Sequence, residues 1–134
     1  MLDNIATLEE LEAETLRIND FLLITVTEDP AAIMDRGNDL AVELARTSKM
    51  KADAKYWLTL AENISIVKYA DIYKSPMVIK EAARTDNEYE IYLYEFIERL
   101  NRTATHQLDW IRSLLSWNKE EMRQAAPVNG RYNG

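Results

Sequence analysis

An all-α bundle of four to five helices follows from three observations on this 134-residue sequence. From Asn38 to Ser75, and again from Met77 to Ala126, there is no glycine and no proline. Those two residues punctuate local structure most strongly. Within the second run, Tyr89, Leu93, Phe96, Leu100, Thr103, Gln107, Trp110, Leu114 and Trp117 recur at spacings of three and four, a helical period rather than a strand period. The one strand-like stretch, Ile64 to Tyr73, has no second such segment to pair with, so it reads as helix or connector.

Each element carries its own start or stop. Thr7 to Glu10 forms a capping box, with Thr7 as N-cap and Glu10 returning to its amide. The first helix then runs from Leu8 to about Val26 and buries Leu8, Leu11, Ile18 and Leu22; β-branched Thr25, Val26 and Thr27 weaken its end. Asp29–Pro30 is a cap followed by a proline at the first helical position, where the missing N–H costs little. Gly37–Asn38 either breaks this second helix after two turns or is tolerated inside it. From Asp39 the pattern Leu40, Ala41, Leu44, Ala45, Ser48, Ala52 continues to Trp57, Leu58 and Ala61, a face of small residues with bulky anchors at its far end.

Ser75–Pro76 repeats the cap-plus-proline start and opens a short helix to about Ala83. Thr85 to Glu88 offers another capping box, opening a final helix that reaches Arg123. A helix of that span is about 58 Å long, against a radius of gyration of about 14 Å for a compact chain of this length. Either Arg102 to Thr105 hides a bend, or the Trp110, Leu114 and Trp117 face packs on a second copy. The expectation is a homodimer through that face. Beyond Ala126, Pro127-Val-Asn-Gly-Arg-Tyr-Asn-Gly is turn-rich, which gives one helical domain over 1–126 and a flexible tail over 127–134.

Charge is unevenly placed. Residues 1–29 hold eight acids and one base, a net of −7, while the other 105 residues hold fifteen of each. Acids in a first turn stabilise a helix start. That accounts for Glu9 and Glu10, and less well for Glu12, Glu14 and Asp20. Two readings stand: an ordinary solvated face, or a docking surface for a basic partner made of Glu9, Glu10, Glu12, Glu14 and Asp20.

The residue inventory excludes most chemistry. There is no cysteine, so disulfides, thiolate catalysis and sulfur-ligated metals are impossible. The single histidine, His106, cannot build a His-rich metal site, and the position three residues before it is Thr103 rather than the Glu of a di-iron helix. Asp109 stands where it could hold the His106 imidazole, with no nucleophile identifiable beside it. Three glycines provide no phosphate-cradling loop. The expectation is no enzyme activity, no metal and no cofactor.

Direct nucleic-acid binding is also disfavoured. Lys49, Lys51 and Lys55 lie beside Tyr56 and Trp57, but the pI is near 4.8. Glu95–Arg99 and Glu98–Arg102 stand in favoured i,i+4 order, which neutralises the arginines of the last helix. Arg99, Arg102, His106, Trp110 and Trp117 make a second candidate partner surface, aromatic and basic. The acidic N-terminus lacks the basic-then-apolar layout of a signal peptide, and no apolar run exceeds four residues, the length of Phe21 to Ile24. The reading is a soluble, cytoplasmic protein without a membrane association.

Two segments carry a resemblance: Ala45 to Leu58 (Ala-Arg-Thr-Ser-Lys-Met-Lys-Ala-Asp-Ala-Lys-Tyr-Trp-Leu), and Arg99 to Leu115 running into Lys119-Glu-Glu-Met122. They resemble small all-helical accessory proteins of phages and mobile elements of gut bacteria, mostly of unassigned function. Such proteins sit beside recombination genes. The resemblance implies a factor that blocks host defences, including anti-CRISPR-type inhibitors of nucleic-acid-targeting nucleases. Its alternative is a recombination accessory that binds a single-strand-annealing or single-strand-binding partner. Either reading makes the chain an acidic protein-binding module whose partner is a basic nucleic-acid-handling protein of a bacterial host.

Overall fold

A computed structural model describes residues 4–132, with side chains over 4–125. Four helices follow one another: α1 (Leu8–Leu22), α2 (Pro30–Ala70), α3 (Pro76–Asp86) and α4 (Glu88–Tyr132). No strand occurs among the described residues. The fold is an all-α bundle with a long C-terminal helix.

Helix starts follow the sequence closely. The Thr7 hydroxyl accepts from the Glu10 amide at 3.2 Å, and the Asp29 carboxylate accepts from the Ala32 amide at 3.2 Å. Each satisfies one of the orphan donors of a first turn. Ser75 precedes Pro76 without a side-chain cap bond, so α3 relies on its proline. Gly37 is absorbed into α2, which continues unbroken through Ile64 and Ile66 to Ala70. At that glycine α4 comes so close that a Cβ would stand 3.0 Å from the Ile111 Cγ2 methyl.

Three expectations are corrected. α1 ends at Leu22, four residues early, because Arg36 and Gln107 capture its last carbonyls. The capping box over Thr85–Glu88 does not form: α3 extends to Asp86, and the Thr85 hydroxyl donates back to the Glu81 carbonyl. The break falls instead on Asn87, buried, whose side-chain amide donates to Ser65 Oγ at 3.2 Å and to the Ala83 carbonyl at 2.8 Å. These bonds tie the α3–α4 junction to α2 and offer the backbone an alternative to helix. α4 is helical as far as Tyr132, so the turn signals from Pro127 onward lie at its end. The tail expected over 127–134 falls on residues whose side chains lie outside the described part.

The third correction concerns which face is core. α2 runs antiparallel to α4, as Ser65 against Asn87 at one end and Arg36 against Gln107 at the other show. α1 lies beside both, parallel to α4, with Tyr89 reaching Glu12 and Gln107 reaching Leu22. Leu93, Ile97, Leu100, Ala104, Leu108 and Ile111 are the buried residues of α4. The expected stripe shares only Leu93 and Leu100 with them. It reads along the α1-facing edge and out into solvent, where Tyr89, Trp110 and Trp117 are exposed. Ala104, fully buried, marks the true axis: a small residue lets α2 and α4 approach closely, and small residues carry little weight in an apolar count.

α2 misleads in the same way. Ala41, Ala45, Ser48 and Ala52 are exposed, and the inward face carries Ile33, Arg36, Leu40, Glu43, Thr47, Met50, Ala54 and Leu58. Polar residues occupy the core side because each has a partner. Arg17 of α1 donates to both Glu43 oxygens at 3.0 Å, and Asn101 of α4 donates to Thr47 Oγ1 at 2.9 Å. A buried polar group so bonded escapes most of its desolvation cost. No buried side-chain N or O lacks a partner among the described residues.

Length no longer calls for a second chain. α2, at 41 residues, lies along most of the 45-residue α4 and covers its apolar face within one molecule. With Gly37 opposite Ile111, α4 outruns the start of α2 only near Asn118.

Candidate functional site

The most distinctive surface is built where α1 ends. The Leu22 carbonyl accepts from Gln107 Nε2 at 3.0 Å, and the Phe21 carbonyl accepts from Arg36 at 3.0 Å. Arg36 also donates to Gln107 Oε1 at 3.1 Å and lies 4.0 Å over the Phe21 ring. A cation at a helix C-terminus is favourable, and the ring recovers part of the cost of burying it. Burial pulls the Arg36 guanidinium below its usual range, but Arg36 remains charged at any ordinary pH. These bonds form a hydrogen-bonded floor under a connector, Leu23 to Thr27, that is free of helix.

On that floor stands a concavity of about 750 Å³, walled by Leu23, Ile24 and Val26 on one side and by Trp110, Leu114 and Trp117 of α4 on the other. A second groove of about 420 Å³ continues along α1 and α4 past Phe96 to Tyr92. The two meet at Leu22, Leu23 and Gln107, which line both. Tyr92 to Trp117 spans about 37 Å of helix. Large apolar groups stand exposed along it: Leu23 75%, Ile24 61%, Tyr92 61%, Trp110 64% and Trp117 62%. The exposed apolar cluster of Leu23, Ile24, Trp110 and Trp117 around the concavity, with Arg99 and Gln107 beyond it, is surface of the kind that marks an interaction site more often than it decorates a monomer.

The structure brings the five aromatic and basic candidates together. Arg99, Arg102, His106, Trp110 and Trp117 share one face of α4, all exposed, turned away from the buried stripe. Arg102 pairs with Glu98 at 2.9 Å, whereas the expected Glu95–Arg99 pair does not form among the described residues. The Asp109 carboxylate lies 3.7 Å from Arg112 rather than holding His106, so the His–Asp dyad is absent. Tyr92 packs edge-on against Phe96 at 5.8 Å, and Tyr94 turns to the other side of α4 under the Lys55 ammonium.

The acidic candidates are not brought onto one face. Glu9 and Glu10 sit in the first turn of α1; Glu12 turns toward α4 and accepts from the Tyr89 hydroxyl at 2.7 Å. Glu14 turns toward α2, bonded to Arg17 at 2.7 Å with Arg46 at 4.0 Å. Asp20 is exposed. Of the five, only Glu14 has a basic partner among the described residues; Glu9, Glu10, Glu12 and Asp20 have none. The lysines near Trp57 are likewise dispersed: Lys49 binds Asp53 and the Asn4 carbonyl, and Lys55 lies over Tyr94.

Leu23 and Ile24 are the site residues that sequence reading missed. Their signal was the run Phe21 to Ile24, four consecutive apolar residues that no single helix face can bury. No group of three or more His, Asp or Glu placed to hold a metal ion occurs among the described residues. No helix among them is long and apolar enough to cross a membrane. No protein-family model, curated protein or solved structure matches the chain.

Proposed function

We propose that this chain is a non-enzymatic protein-binding module of a phage or mobile element, acting in the cytoplasm of a bacterial host. Its sharpest form is an inhibitor of a nucleic-acid-targeting defence nuclease. The exposed pair Trp110 and Trp117 at the mouth of the apolar concavity carries the binding reading. Exposed tryptophans over a preformed pocket are the residue type and setting in which binding energy concentrates. The floor of Arg36, Gln107 and the α1 carbonyls holds that pocket in place, so little ordering is needed on association.

Charge supports the partner class. The net −7 lies wholly in residues 1–29, and Glu9, Glu10, Glu12 and Asp20 of α1 have no basic partner among the described residues. A nuclease presents basic channels to its substrate, and an acidic helical surface competes for them while the aromatic face anchors on the rim. The nuclease itself is named on this charge together with the resemblance to phage accessory proteins.

The test is capture from nuclease-treated host lysate followed by an inhibition assay on the captured protein. A nuclease is expected, with inhibition that weakens as salt rises and weakens further in a variant carrying Glu9→Gln, Glu10→Gln and Asp20→Asn. Capture of a single-strand-annealing or single-strand-binding protein, with no inhibition of any nuclease, overturns the inhibitor reading in favour of a recombination accessory.

A further inference from the structure

The far half of α2 carries an apolar face that the fold does not use. Its inward side packs through Ala54, Leu58 and Ser65, all buried. The opposite side presents Tyr56, Leu60, Ile64 and Val67 at spacings of four, four and three, 47%, 41%, 63% and 69% exposed. A helix apolar on two opposite faces is one that packs against two layers. α3 and α4 pack on the other sides of this half of α2, and among the described residues nothing covers this face.

Charge says what can cover this face. Between Tyr56 and Val67 the only ionisable acid or base is Glu62, which lines the cavity facing α3. Lys68, at the stripe's edge, is paired with Asp86 at 3.5 Å. A charged partner finds nothing here to recognise, and a copy of the same face meets no like charge. The four side chains expose roughly 400 Å² per copy, so with flanking Asn63 and Thr59 a symmetric pair reaches the about 1,000 Å² that a specific interface needs.

We infer that the chain forms a two-fold homodimer by antiparallel packing of α2 on α2 through Tyr56, Leu60, Ile64 and Val67. An antiparallel two-fold between Ala61 and Asn63 sets Leu60 against Ile64 of the second copy and Tyr56 against its Val67. The interface is isologous, as a two-fold requires. Asn63 lies beside the axis, where a polar residue fixes register at some expense of stability. This surface is on the opposite side of α2 from α4, so the dimer leaves both grooves along α1 and α4 open. The inference is independent of what those grooves bind.

Light scattering of the full chain from micromolar to sub-millimolar concentration tests it. A dimer mass is expected for the wild type, a monomer mass for Ile64→Lys with unchanged helical circular dichroism, and an unaltered dimer for Trp110→Ala. The cysteine-free sequence allows a second, fold-preserving test. Asn63→Cys should be captured as a covalent dimer by a short bis-maleimide, and Arg112→Cys should not. A monomer at every concentration with no Asn63→Cys cross-link overturns the inference. So does a dimer that survives Ile64→Lys, or one that Trp110→Ala dissolves.

Discussion

Trp57 and the pair Trp110 and Trp117 are the same side chain used in two ways. At one end of the bundle the Trp57 indole N–H donates to the Ala6 carbonyl at 2.7 Å, and the ring is half-buried with Tyr56 packed edge-on at 5.2 Å. Around it the Ala6 amide donates to the Asp53 carboxylate at 3.2 Å, and Lys49 holds both Asp53 and the Asn4 carbonyl. The segment entering α1 is thereby fastened to α2. At the other end, the segment leaving α1 is fastened only at its start, by Arg36 and Gln107, and the two tryptophans stand open beside it. The lesson is that a tryptophan with its N–H satisfied by backbone is a fastening, and one with an exposed ring beside a cavity is a contact surface.

The core between the two ends sets the scale for breaking this contrast. Leu100, 4% exposed and at the middle of the α4 stripe, should cost ~2–5 kcal/mol when replaced by Ala, read by denaturant unfolding. A loss below about 1 kcal/mol would mean that the site collapses around the deletion or that the stripe is not core. Next comes Trp57→Phe, which keeps most of the ring and removes the bond to Ala6; it should cost about 1–2 kcal/mol. Trp110→Phe should stay within about 0.5 kcal/mol of wild type in the same experiment. Equal costs for the two would erase the distinction.

Gln107→Leu probes the floor of the groove. It removes the donor to the Leu22 carbonyl and the acceptor of Arg36, for a cost of about 1 kcal/mol. Amide hydrogen exchange should quicken in the last turn of α1 and leave the Ala6–Trp57 end unchanged. The smallest effect belongs to Tyr89. Its hydrogen bond to Glu12, helped by partial desolvation, pushes the phenol up from 10.0 to about 12. The stabilisation is fully present below the unfolded value and is lost as pH rises through the folded one. An ultraviolet titration should show a late tyrosine step near pH 12 that Tyr89→Phe removes; Tyr69, whose hydrogen bond to Asp86 also raises its phenol, keeps its own shift in that variant.

Much of the fold was legible because its punctuation is local. Thr7, Asp29–Pro30 and Pro76 mark three helix starts, and a glycine-free, proline-free run marks the long helices. The facing of those helices was not legible. On α2 and α4 the core is lined by Ala104, Thr47, Glu43 and Arg36, residues that count as small or polar until Asn101, Arg17 and Gln107 are seen to satisfy them. Apolar periodicity therefore runs the expected stripe through Trp110 and Trp117, off the buried axis of α4. The same misplacement exposes the site: the part of the expected stripe that the bundle leaves uncovered is the surface available to a partner. Of the candidate residues, the five on α4 do share a face, whereas the acids of α1 scatter around the helix, Glu12 toward Tyr89 of α4 and Glu14 toward Arg17 and Arg46 on the α2 side.

The most direct test of the central claim is partner capture by a Trp110→Ala, Trp117→Ala double variant, with its melting temperature measured on the same sample. The account predicts a melting temperature within a few degrees of wild type and at least a tenfold (about 1.4 kcal/mol) loss of affinity. Full retention of binding at wild-type stability would contradict it. So would a collapse of stability that makes these two rings part of the core.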